Sequence, residues 1–499
     1  MSEHLISADD ARSDLTSCAA FLAETLTGDN RAVAMSAVLP NYLEKNDVDT
    51  AAELANTVDD PYMRDRLLQI VAEKCAELGD DEYALQLADA VEEFGTRSQT
   101  YEKIAVKKAA AGDIDKALEI AETLTHPDSV YAAAAAKYAL LDDNGSAKEM
   151  LDRIEFAPEK VYALIGIASV KFDAGDADSA SDALDQAAET AESIDHSEEK
   201  LRAFRDIGNL FTEIGSEHKA ILVFEKMSEF AETFDSVNRD GFLAASAVGL
   251  LRAGSEEFSD RSFDLIEDKT QIATALLGIS REEWRTDKRD EAIGSLEESL
   301  SILRSQKENE TRDTAAKNAL FGSIAIQFAG FGKDERGIEI AQDNEDDGQQ
   351  LSALAQIAQI TATQGNLDVA RQALNAIFED AHRIFALIGV SDAVKKNGDE
   401  TAALAMLEET DSAIGSIPQL ASKISAYSEI SNRYTAFGQT DKARTAAANA
   451  FTSITELRDT ASRSANLAEL ANIYEQSGFE LNDEEKEQMM MLVNATFTY

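Results

Sequence analysis

Proline, cysteine, basic charge and long apolar runs are all scarce in this chain. Five prolines among 499 residues leave room for many uninterrupted helices. Two isolated cysteines, Cys18 and Cys75, cannot build a disulfide framework. No run of roughly 18 apolar residues occurs, so no membrane span is expected. Met1 to Asp10 shows no basic stretch followed by an apolar one, so no secretory signal is expected and a cytoplasmic location is the plain reading. Lys and Arg total 46 against 94 Asp and Glu, a formal charge of −48. That excess argues against nucleic acid as a partner, because phosphate binding needs a dense cationic surface. It argues equally against anionic membranes.

The acids are spread over nearly every segment, which fits a surface kept soluble in a salty cytoplasm better than a patch for one basic partner. Lysine is as frequent as arginine, so the lysine depletion of an extreme halophile is absent. Screening of self-repulsion predicts a melting midpoint that rises with KCl up to molar concentrations. Thermal unfolding followed by circular dichroism at several KCl concentrations checks this, and a flat response overturns it.

Glycine is what the chain has at fixed places. Gly79, Gly112 and Gly145 stand 33 residues apart, as do Gly332, Gly365 and Gly398. Gly175, Gly215, Gly254, Gly438 and Gly478 continue the series at 30 to 40 residues, with a weaker stretch between Gly254 and Gly332. Such a period marks one supersecondary unit copied along the chain. Eleven, eight and seven residues before the glycine come a large, an aliphatic and a small residue: Leu68, Val71, Ala72; Tyr101, Ile104, Ala105; Leu164, Ile167, Ala168; Leu354, Ile357, Ala358. These offsets share one helical face.

Asp80, Asp113, Asp176 and Asp399 follow their glycines, with Ser146, Ser216, Ser255 and Asn366 in the same place elsewhere, and read as N-caps of a second helix. Ala84, Ala117, Ala180, Ala220, Ala370, Ala403 and Ala443 recur five residues past the glycine and mark a tight helix crossing. Pro61, Pro127, Pro158 and Pro418 fall where the next first helix begins. A spacing of 40 adds about two turns, lengthening the second helix without turning its apolar face, as over 179–194 and 441–457. Asn46 and Asp287 serve as reference residues where glycine is missing.

Each unit is thus a helical hairpin, and the arrangement over residues 31–499 resembles the tetratricopeptide repeat family. The aromatic that the family places four residues before the glycine survives as Phe211, Phe328, Tyr434 and Tyr474, while Lys108 and Lys171 hold it elsewhere. The reading is an all-α, right-handed α-solenoid of about thirteen antiparallel hairpins. A capping helix region spans 1–30, repeats span 31–304, a polar linker or hinge spans 305–313, and repeats with a capping last helix span 314–499.

Chemistry-bearing motifs are missing. Gly332–Lys333 lacks the upstream glycine of a phosphate loop, and Asp334 stands where Ser or Thr is needed. His4, His126, His196, His218 and His382 are scattered and read as surface residues. Asp113/Asp115 and Asp176/Asp178 lack the glycine and distal glutamate of a calcium loop. No metal, no cofactor and no enzymatic activity are expected.

In the resembled family, ligands lie along the groove lined by first helices. That geometry implies inward positions at Arg202, Arg205, Asn209, Arg252, Arg281, Trp284 and Arg285, a basic and aromatic patch in an acidic chain, with Lys395 and Lys396 a smaller positive step. The competing reading pairs these arginines with glutamates such as Glu282 and Glu283, and a one-residue slip would bury Trp284. The expected function is a protein-interaction scaffold that holds a peptide or extended segment of acidic or C-terminal carboxylate character. The alternatives are a helical-solenoid enzyme or small-molecule sensor, and a self-assembling structural protein.

Overall fold

The computed structural model describes residues 4–195, 198–306 and 313–496. In chain order its helices are α1 (Ala8–Ala11), α2 (Leu15–Glu24), α3 (Gly28–Glu44), α4 (Val48–Asn56), α5 (Pro61–Leu78), α6 (Asp81–Ala90), α7 (Phe94–Ala111), α8 (Ile114–Ala121), α9 (Asp128–Leu140) and α10 (Asn144–Arg153). Next come α11 (Ala157–Asp173), α12 (Ala177–Glu192), α13 (Glu198–Glu213), α14 (Glu217–Glu232), α15 (Arg239–Arg252), α16 (Glu256–Asp264), α17 (Lys269–Arg285), α18 (Arg289–Ser305), α19 (Thr314–Gly330) and α20 (Asp334–Gln342). The series ends with α21 (Asp347–Thr363), α22 (Leu367–Ala376), α23 (Asp380–Lys396), α24 (Glu400–Ile414), α25 (Leu420–Ala436), α26 (Thr440–Glu456), α27 (Thr460–Ser477) and α28 (Asp483–Ala495). No strand occurs among the described residues. None of the described helices is long and apolar enough to cross a membrane. Of the polar segment 305–313, residues 307–312 lie outside the described residues, as does His196.

From α3 onward the helices follow one another as first and second members of successive pairs, an all-α solenoid of tetratricopeptide-like hairpins. They fall into two compact units. One comprises Met1–Ile104 with Leu354–Tyr499, the other Ala105–Ala353, and α7 and α21 run across the two boundaries.

Each hairpin turns on one residue in the left-handed region. Gly79, Gly112, Gly175, Gly215, Gly254, Gly332, Gly365, Gly398, Gly438 and Gly478 all have φ between 66° and 101°. Asn46, Asp142 and Asp287 do the same work at 58°, 59° and 66°, a conformation that short polar side chains tolerate better than most. Gly145 is a correction to the sequence reading, because it lies inside α10, whose N-cap is Asp143 rather than Ser146. With Asp142 as reference the repeat falls into register, since Tyr131, Ala134, Ala135 and Ala147 then occupy the expected places and are all buried. Asp80, Asp176 and Asp399 accept a first-turn amide, whereas Asp113, Ser216, Ser255 and Asn366 stand at the N-cap without such a bond.

The small residues meet as their spacing requires. Ala72, Ala105, Ala168 and Ala358 are fully buried, and so are their partners Ala84, Ala117, Ala180 and Ala370. Where one member is serine, its hydroxyl donates across the crossing: Ser391 to Ala403 O and Ser431 to Ala443 O, both at 2.9 Å, and Ser259 to Ala247 O at 2.8 Å. At Gly337 the approach is tighter still, and a Cβ there would stand 2.6 Å from the Ala325 carbonyl oxygen. Repeat length follows the second helix: α6, α10 and α22 have 10 residues, while α12 and α14 have 16 and α26 has 17.

One recurring device is invisible in the glycine rhythm. Asp65, Asp128 and Asp240, early in α5, α9 and α15, each accept two backbone amides from the loop that precedes the next first helix. Asp65 takes Glu92 N and Glu93 N at 2.9 and 2.8 Å, and its side chain is fully buried beside Arg64. Loop amides otherwise left without partners are thus satisfied by a carboxylate one repeat earlier.

Candidate functional site

The sequence-predicted patch lies in the unit Ala105–Ala353, where the first helices α11, α13, α15, α17 and α19 pack side by side. Arg202 and Asn209 are exposed on α13, and Arg205 is half-buried. Both arginines meet carboxylates of their own helix, Arg202 with Glu198 at 3.5 Å and Arg205 with Asp206 at 2.9 Å. The exposed Tyr162 of α11 lies within their field, and burial followed by the Asp206 charge raises its phenol above the ordinary range.

Across α15 and α17 the arginines converge on one buried acid. Arg252 Nε donates to Glu282 Oε1 and Arg285 Nε to Glu282 Oε2, each at 2.8 Å. The Glu282 side chain is only 4% exposed, whereas those of Arg252 and Arg285 are 48% and 59% exposed. One carboxylate therefore anchors two guanidinium groups whose side chains stay about half exposed. Arg285 Nη2 also reaches the Arg252 carbonyl at 3.4 Å.

Arg281, one turn before, has a neutral partner. Its Nε donates to Gln327 Oε1 of α19 at 2.7 Å. Partial desolvation lowers this guanidinium from the usual arginine range. Trp284 stacks on Phe331 with ring centroids 4.1 Å apart and planes 9° off parallel. The Arg289 guanidinium lies 4.0 Å from the same ring centre. Two groups at that distance cannot share one face, so the indole is sandwiched and presents its edge.

The structure thus brings Arg252, Arg281, Trp284 and Arg285 onto two neighbouring helices, and leaves Arg202 and Arg205 on α13 with separate local partners and Asn209 exposed on the same helix. Glu282 answers the pairing that the sequence left open, while Glu283 turns the other way to accept from Ser295 Oγ at 2.7 Å, and burial raises its carboxyl. Gln327 and Phe331 escape the sequence reading because nothing in the α17 register identifies which residues of α19 face it. In the other unit Lys395 donates to the Ala436 carbonyl at 3.0 Å and lies 3.9 Å from the Phe437 ring centre. Cys18 and Cys75 are buried and free, and burial pushes their thiols up to about 12 and about 11, far from nucleophilic use at neutral pH.

No family model matches the chain, and no curated protein matches it in sequence. Several solved structures resemble it at low identity. A signal-transduction ATPase with a tetratricopeptide repeat sensor, from Pyrococcus horikoshii, is 13% identical over 73% of this chain and 64% of its own, with a TM-score of 0.27. The Cut9–Hcn1 hetero-tetramer of the APC/C gives 14% identity over 93% and 96%, with a TM-score of 0.24. Ton1535 from Thermococcus onnurineus gives 18% over 64% and 97%, with a TM-score of 0.25. The assignment of tetratricopeptide-like helical repeats stands on the hairpins themselves: left-handed turn residue, small-residue crossing and alternating first and second helices.

Proposed function

We propose that the protein is a non-catalytic interaction scaffold whose first helices α13, α15 and α17 hold an extended acidic segment of a protein partner. One observation carries the reading. Arg252 and Arg285 share a single carboxylate, and Arg281 is held by a neutral glutamine, in a chain whose formal charge is −48. A local cationic surplus against so acidic a background attracts carboxylates, and the guanidinium fork suits them geometrically. The edge of Trp284, fixed between Phe331 and Arg289, supplies rigid apolar contact beside that surplus.

The test uses the full chain with Arg205→Glu and Arg281→Glu. Neither arginine holds the buried Glu282, so the thermal midpoint is expected to stay within a few degrees of wild type. Affinity capture from native lysate by both proteins is then compared. Loss of co-purified polypeptides from the variant supports the site; identical profiles remove it.

A further inference from the structure

An amino-terminal helix that caps a solenoid should carry a polar outer face, because nothing packs beyond it. The sequence places a cap over 1–30, yet α2 has no such face. Its residues read Leu-Thr-Ser-Cys-Ala-Ala-Phe-Leu-Ala-Glu, and nine of the ten are buried. This is the burial of an internal helix.

What covers it is α27, in the same unit. Ser464 Oγ of α27 donates to Ala19 O of α2 at 2.7 Å, across 445 residues of sequence. The same hydroxyl-to-carbonyl bond joins first to second helix in two neighbouring hairpins, Ser391 to Ala403 and Ser431 to Ala443. Ser13, Asp14 and Leu15 share one cleft with Ala471, Tyr474 and Gly478, so the start of α2 lies by the end of α27. With Ala19 bonded farther back, at Ser464, the two helices run antiparallel, as the members of a hairpin do. Meanwhile α28, which follows α27 in sequence, packs on α26, α2 and α1.

The flanking contacts fix the docking position. α3 lies along α27 as successive first helices do, for example α9 with α11. The buried Asn41 of α3 donates to Ala468 O at 2.7 Å and accepts from Asn472 at 3.4 Å. Lys45 pairs with Glu475 and donates to Thr16 Oγ1 of α2 at 3.1 Å. Arg12, just past α1, donates to Asn494 of α28 at 2.8 Å. The buried Asn41 bond in particular favours one register over its slipped neighbours.

We infer that α27 presents a helix-acceptor face whose occupant is α2 of the same chain, so that an amino-terminal helix serves as the second helix of the last repeat. The order of α27 then depends on residues more than 400 positions away, and its apolar face is open to a second copy only if α2 leaves. Intramolecular docking wins at ordinary dilution, because α3 and α28, packed on both α2 and its surroundings in the same unit, hold α2 beside α27.

The test uses the full chain. In Ala19→Cys/Ser464→Cys, mild oxidation at micromolar protein should link peptides 19 and 464 within one chain. An equal mixture of nitrogen-15-labelled and unlabelled protein distinguishes the occupants: peptide pairs of a single isotope support the inference. Mixed-isotope pairs show that a second copy fills the face and overturn it, as does failure to cross-link. Independently, Phe21→Asp on α2 should speed amide exchange in α27 by about tenfold or more while leaving α15 to α18 unchanged. Unchanged exchange in α27 also overturns the inference.

Discussion

Truncating Phe224 to alanine is expected to destabilise the chain by about 3–5 kcal/mol, with the loss centred on α13 to α15. The ring is 1% exposed and fills a slot that two glycines make possible. A Cβ on Gly208 of α13 would come within 2.8 Å of it, and one on Gly249 of α15 within 2.5 Å. Ser246 of α15 bonds the Phe224 carbonyl at 3.0 Å, holding the two helices at that separation.

The reciprocal variant decides between two opposed effects. Gly249→Ala gains about 1 kcal/mol of helix propensity, but overpacking against a ring wedged on both sides costs about 1–3 kcal/mol. The net expectation is destabilisation, and Phe224→Leu combined with Gly249→Ala should recover part of the loss. Repeat arrays need not unfold in one step, so amide exchange resolved by helix should accompany the urea midpoint. A stabilised Gly249→Ala would show that α13 and α15 can separate cheaply, contrary to the slot geometry.

Much of the fold was legible because the repeat writes its own geometry into the sequence. A left-handed turn demands glycine, a close crossing demands a small residue, and those two demands are spaced by the hairpin itself. Legibility failed where another residue met the same demand. Asp142 takes the left-handed turn, and the nearby Gly145 drew the register three residues off. It failed again where pairing was tertiary. The amides that Asp65 satisfies lie 27 and 28 residues ahead, and no local pattern reveals them.

The candidate site was half legible. Arginine and tryptophan at 281–285 stand out in an acidic chain, but their partners could not be chosen among the many glutamates. Buried Glu282, not the half-buried Glu283, gathers the arginines because helical phase turns it towards α15. The near-complete burial of α2 escaped the sequence reading, because its acceptor, α27, lies more than 400 residues away.

Replacing Arg444 with methionine is expected to cost about 3–5 kcal/mol, because it strands a buried carboxylate. The Glu485 side chain is 4% exposed and belongs to the capping box that starts α28. Arg444 Nη1 donates to Glu485 Oε1 at 2.8 Å and to the Tyr474 hydroxyl at 3.1 Å, while Nη2 pairs with Glu485 Oε2 and reaches the Glu480 carbonyl at 3.1 Å. Tyr474 in turn donates to Glu485 Oε1 at 2.7 Å, and burial with that carboxylate raises its phenol so that it remains a donor. One guanidinium from α26 therefore ties the end of α27 to the start of α28. Most of the loss should come from the unpaired charge, not from the missing contacts. Arg444→Met with Glu485→Gln is then expected to regain most of the stability, since the amide can still accept from Tyr474 and occupies nearly the same volume. Urea unfolding of both single variants and the double variant closes the cycle. If the double variant is as unstable as Arg444→Met alone, packing by the arginine stem, and not charge pairing, holds these three helices together.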